Sequence, residues 1–163
     1  MNLTSLTLAA ALRVVAMVGL VIGALLMYDS AREQAVFERT AGALMQAMDE
    51  QVRAETERTS CLHAPQQANI NTLIQEGWLD ASIVEQSPWT LGIRYQSSSQ
   101  NGRVIAKTAQ FTANDAKRLA ALAKNAKGSW HLQGQTLTLL EVINGPTDVA
   151  RMEYDPVTAC FAW

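Results

Sequence analysis

Few side chains in this sequence suit bond-making, and their spacing narrows the chemistry further. There are two cysteines, Cys61 and Cys160. Joined, they would close a loop of about 100 residues, worth roughly 4–5 kcal/mol in the chain-entropy model. The bridge would also pin the C-terminal end to the segment around residue 61. The other reading is two separate buried thiols, because cysteine is a common core residue. The histidines are His63 and His131. With Cys61 and Cys160 they make four zinc-capable donors, but no Cys-x-x-Cys or His-x-x-x-His spacing occurs, so no metal is expected. His63 reads as a surface loop residue and His131 as a strand residue facing solvent. The sequence contains no Gly-x-Ser-x-Gly, no phosphate loop and no His-Glu-x-x-His. Glu76, Asp80, Glu85 and Asp148 stand beside turns, where solvated charges usually lie. No catalytic residue and no cofactor is assigned, and the expectation is binding rather than catalysis.

The elements that position these residues begin with an apolar segment. The chain has 163 residues, enough for one modest domain. Lys and Arg number 13 against 15 Asp and Glu, a net charge of -2, which gives no electrostatic footprint for nucleic acid. The charge is unevenly spread: residues 1–28 contain one charged side chain, Arg13. Crossing a bilayer core ~30 Å thick takes roughly 20 apolar residues in a helix. Ala9 to Tyr28 meets that length if Arg13 extends its guanidinium to the headgroups. A cleaved signal peptide is the competing reading, but a cut after Ala31 would place Asp29 at the minus-three position, where a small residue belongs. Residues 1–28 are therefore expected to be an uncleaved transmembrane anchor. Ala16, Gly19 and Gly23 lie near one face and could let a second membrane helix approach closely. The basic residues on the two sides, Arg13 against Arg32 and Arg39, leave the orientation undecided. A disulfide would decide it, since such bonds persist in oxidising compartments and would put the head in the periplasm.

Residues 29–60 contain no Pro and one Gly, Gly42, and are rich in helix formers. Phe37, Ala41, Leu44, Met48 and Val52 recur at helical spacing and make one apolar face. The simplest reading is a single helix running out of the anchor as an amphipathic stalk. Its stripe packs either on the chain's own head or on a partner, and Phe37 and Leu44 are candidate partner contacts. The stripe is too short for a coiled coil.

Residues 61–163 read as a small head. Ala68 to Glu76 is expected to be a short helix stopped by Gly77. A loop then leads through Ser87-Pro88. Trp89 to Gln96 alternates with period two, as a strand does. Asn101-Gly102 is a hairpin signal, and Arg103 to Gln110 is the returning strand. Thr112-Ala113-Asn114-Asp115 resembles a capping box ahead of a helix over Ala116–Lys127, with Leu119, Leu122, Ala123 and Ala126 inward. Ser129–Leu132 and Gln135–Ile143 are two further strands, and Asn144-Gly145-Pro146 is a turn. The tail adds at most one edge strand. Trp78, Trp89 and Trp130 are expected between helix and sheet. Phe161 and Trp163 alternate in register and are candidate partner contacts. The fold class is α+β, an antiparallel-sheet head following a long helix.

This layout resembles the type IV pilin-like proteins, which include pilins, minor pilins and the pseudopilins of type II secretion. The points of likeness are the apolar N-terminal helix running unbroken into an amphipathic one, the segment Leu73-Ile74-Gln75-Glu76-Gly77-Trp78-Leu79, Ser87-Pro88-Trp89 ahead of the sheet, and one Cys after the stalk with a second near the C terminus. The family is cut by a prepilin peptidase after a Gly, and carries a Glu at the fifth mature position. Here no Gly precedes residue 19 and no acid precedes Asp29. The resemblance therefore implies a non-catalytic accessory component of a pilus or pseudopilus, single-pass in a bacterial inner membrane. Its partners would be filament subunits and inner-membrane assembly proteins. A membrane-tethered periplasmic sensor or regulatory module unrelated to pili is the alternative, and a tethered enzyme is a third hypothesis.

Overall fold

The computed structural model describes residues 3–124, 128–143 and 153–162. The expected turn at Asn144-Gly145-Pro146, the inward Ala126, Asp148 and Trp163 lie outside the described residues. α1 runs Leu3–Thr59 with no break, as the absence of Pro and the run of helix formers require. The chain divides into two compact units, Met1–Val36 and Phe37–Trp163. The packing boundary thus falls inside the stretch read as stalk, at Phe37, which is buried to 0% exposure.

In the first unit, α1 is long and apolar enough to cross a membrane, and that stretch is not buried inside the structure. Val15, Leu20 and Met27 are all exposed. Ala16 is exposed, and a Cβ added at Gly19 or Gly23 would meet nothing within 4 Å.

In the second unit, the C-terminal part of α1 is a core element. Phe37, Leu44, Ala47 and Met48 are fully buried and Val52 nearly so. This corrects the reading of Phe37 and Leu44 as partner contacts: the chain's own head covers them. The helix ends where Ser60 turns left-handed, at φ 55. α2 (Ile70–Gln75) is capped by Asn69, whose Oδ1 accepts from Thr72 N–H at 2.9 Å. Gly77 follows at φ 78, a conformation that favours glycine. A further one-turn helix, α3 (Ala81–Glu85), replaces the expected loop. Asp80 caps it at Ser82 N–H, and Ile83 drives it by facing the core.

Four strands follow, β1 (Thr90–Ser97), β2 (Val104–Thr112), β3 (Ser129–Gln133) and β4 (Thr136–Val142). They form an antiparallel sheet in the order β1-β2-β4-β3. The β1–β2 connection is longer than a two-residue hairpin: Ser98 N–H donates to Arg103 O at 2.7 Å and Gly102 N–H to Ser98 O at 3.0 Å, and the Asn101 side-chain amide donates to Pro156 O at 2.8 Å. α4 (Ala116–Ala123) packs on β3 and β4 through buried Leu119, Leu122 and Ala123. Its cap is Asp115, which accepts from Lys117 and Arg118 N–H, so Thr112 belongs to β2 and not to a capping box. The tail holds two paired strands where one was expected, β5 (Glu153–Asp155) and β6 (Cys160–Ala162).

The helix–sheet core centres on three aromatic rings. Phe37 lies 5.6 Å from Trp89 and 4.9 Å from Phe111, and Trp89 lies 5.9 Å from Phe111. Such edge and tilted contacts add about 0.5–1.5 kcal/mol each beyond their burial. Trp78 is half-buried. Trp130 departs from expectation: it sits on the outer strand β3 and is 42% exposed.

Candidate functional site

Two structured regions stand apart from the apolar core. One is the junction of the α1 C terminus with the tail. Cys61 and Cys160 are bonded, 99 residues apart in sequence. Of the two sequence readings, the bridge is therefore the one realised. The chain around them is also stitched by backbone: Phe161 N–H donates to Ser60 O at 2.7 Å, Leu62 N–H to Ala159 O at 2.9 Å, and Val104 N–H to Leu62 O at 2.8 Å. Residues 60–62 thus join the tail to the start of β2. Ala159 is fully buried and left-handed, at φ 57.

Side chains complete this lobe. His63 Nε2 donates to Thr158 O at 3.0 Å, so His63 is a half-buried tie rather than a free loop residue. Asp155 accepts from Val157 N–H at 2.9 Å and from the Thr158 hydroxyl at 2.8 Å. These bonds, the Val157 amide first, hold its carboxyl below the usual carboxylate range. Tyr154 and Phe161 rings lie 5.3 Å apart, and the Arg103 guanidinium sits 5.9 Å from the Tyr154 ring centre. Phe161 is half-buried by this contact. Nothing here is arranged as nucleophile and base. Among the described residues no group of three or more His, Cys, Asp or Glu could hold a metal ion. His131 is exposed on β3, far in sequence from these groups and facing solvent as expected.

The second region is a polar cluster between α1 and the sheet, and the sequence reading missed it. Lys107 on β2 is 1% exposed. Its Nζ donates to Met45 O at 3.0 Å, is paired with Asp49, and lies 3.4 Å from Glu141 on β4. Asp49 and Glu141 are 58% and 56% exposed. The ammonium is therefore buried while both counter-charges stay hydrated. Next to it, Tyr95 Oη donates to Met48 O at 3.0 Å and approaches Gln51 Oε1 at 2.9 Å. Gln51 is buried and donates in turn to Gln67 O at 3.2 Å. The available signal was parity. Lys107 shares a strand face with Ala109 and Phe111, so a charge there had to meet the helix.

Burial, and then the charge of Asp49, push the Tyr95 hydroxyl well above the ordinary tyrosine value. The folded state therefore holds the proton more tightly than the unfolded chain. Stability from this group is fully present below about pH 10 and falls as pH rises above that, where only the unfolded chain ionises. Tyr95→Phe is expected to cost about 1–2 kcal/mol at neutral pH, because Gln51 loses a buried partner. Thermal melts from pH 7 to 11 check both points: the gap between wild type and Tyr95→Phe should narrow above pH 10. A constant gap would show that Tyr95 does not titrate with folding.

Compared with known proteins, the chain matches no family model, no curated protein and no solved structure.

Proposed function

We propose that this protein is a non-catalytic, membrane-anchored accessory component of pilus or pseudopilus biogenesis, minor-pilin-like in form, that acts by binding other proteins. The observation that carries the proposal is α1 itself. One unbroken helix begins as an exposed apolar stretch of membrane-spanning length and ends as the core helix of a disulfide-closed α+β unit. Apolar surface of that extent left bare in water would be unfavourable by about 25 cal/mol per Å², and a lipid environment removes the cost. The bonded cysteines support a head outside the cytosol, where such a bridge persists. In this reading the anchor sets location, the head offers surface, and the bridge holds that surface in one shape.

The test is biochemical. The native protein should stay with the membrane on carbonate washing, and protease added to spheroplasts should remove the head. Extraction in mild detergent should then co-purify filament subunits or inner-membrane assembly proteins. Release by carbonate would overturn the anchor. Partners with no connection to a filament or secretion machine would overturn the pilus assignment and leave a tethered binding module.

A further inference from the structure

β1 is an outer strand of the four-stranded sheet. Its backbone direction follows from bonds at the ends of the ladder. Ala113 N–H donates to Gln135 O at 3.1 Å and Ile143 N–H to Ile105 O at 3.0 Å. The odd-numbered residues of β2 therefore bond to β4, and the even-numbered ones to β1. Through the pairs Thr90↔Thr112, Gly92↔Gln110 and Arg94↔Thr108, the even-numbered residues of β1 commit their N–H and C=O groups to β2. Those of Leu91 and Ile93 point outward, and among the described residues they meet no backbone partner.

The side chains of the same two residues stand on the inner face, since Leu91 pairs with Phe111 and Ile93 with Ala109. There they line a groove of about 520 Å³, together with Trp89, Val84, Ile70 and Asn71. A site of this volume admits a short peptide segment. None of its lining residues carries a charge. Proteins usually guard an open edge with Lys, Pro or a bulge. The stretch from Thr90 to Ile93 has none of these, and the bulge lies farther on, between Gln96 and Ser97.

We infer that the Leu91–Ile93 edge of β1 is a docking site for an extended, uncharged peptide segment of a partner protein, added as a fifth strand with an apolar side chain in the groove. Backbone complementarity selects the extended form. Outward N–H and C=O groups on alternate residues match another strand, whereas a helix has already paired its own. Charge complementarity selects the composition, because a charged segment would lose hydration against a neutral lining. The inference rests on reading the head as a binding module and not on which machine it serves.

The full chain in detergent micelles, titrated with a blocked synthetic peptide of alternating Thr and Val about six residues long, provides the test. Amide exchange at Leu91 and Ile93 is expected to slow by at least about tenfold, with little change at Gly92 and Arg94, which are already paired. Ile93→Pro removes one outward N–H and leaves the β2 ladder intact. Val84→Glu places a charge in the groove. Each should weaken peptide binding by about tenfold or more, with an unchanged near-UV spectrum as the check on folding. Should Ile93→Pro fail to fold, Val84→Glu carries the test alone. Unaltered exchange at Leu91 and Ile93 in millimolar peptide would overturn the proposal. So would slowing on concentrating the protein without peptide, which would make the occupant a second copy. A failed titration beside intact co-purification removes the edge site only; the converse removes the pilus assignment only.

Discussion

Lys107→Glu should abolish the folded head. The substitution replaces a buried ammonium with a carboxylate at a site already facing Asp49 and Glu141. Reversing one partner of a buried pair leaves an uncompensated charge, a cost of about 3–5 kcal/mol before the added repulsion. Against a total of roughly 5–15 kcal/mol for a domain, that is most or all of the stability. Lys107→Met is the informative companion. It keeps the volume and removes the charge, and the two carboxylates can remain hydrated because more than half of each is exposed. Its cost should be about 1 kcal/mol. Urea unfolding of the two variants separates the accounts. If Met proves as damaging as Glu, the ammonium's pairing, and not merely its tolerance, holds α1 to the sheet.

Cys61→Ser with Cys160→Ser should produce the second large effect. The bridge spans 99 residues, and its loss costs roughly 4–5 kcal/mol in the chain-entropy model. For a unit of this size the melting temperature should fall by roughly 15 °C. The damage should also be local. β6 is held by Cys160, by the Phe161–Ser60 and Leu62–Ala159 hydrogen bonds, and by pairing with the short β5. Without the covalent tie, strands this short open readily. Limited proteolysis of the serine variant should therefore clip after Asp155 before it touches β1 or β2. A melting temperature within 2–3 °C of wild type, an effect below about 1 kcal/mol, would mean that the backbone bonds alone suffice.

The element order was legible in the sequence because the signals are local. The run without Pro up to residue 60 gives α1, glycines at 77 and 128 stop or separate elements, and alternation around Leu91 and Ile93 marks a strand. Asp80 was an equally local cap, but the one-turn helix it starts, α3, carries too little periodicity to stand out, whereas the longer α4 behind Asp115 was legible. Asn101-Gly102 pointed correctly to a turn, but not to the tie between the Asn101 amide and the distant carbonyl of Pro156.

The sequence by itself determined the kinds of element in this protein, their order, the apolar length of the first helix and the presence of two cysteines that could join. Those follow from periodicity, propensity and counting, which need only neighbours along the chain. The tertiary structure alone decided that Phe37 and Leu44 turn inward, that Trp130 lies outside, that Lys107 meets Asp49 and Glu141, and that β1 is left with an open edge. Each depends on which strand lies beside which, and that order is chosen by the joint burial of residues far apart in sequence, which no local pattern encodes.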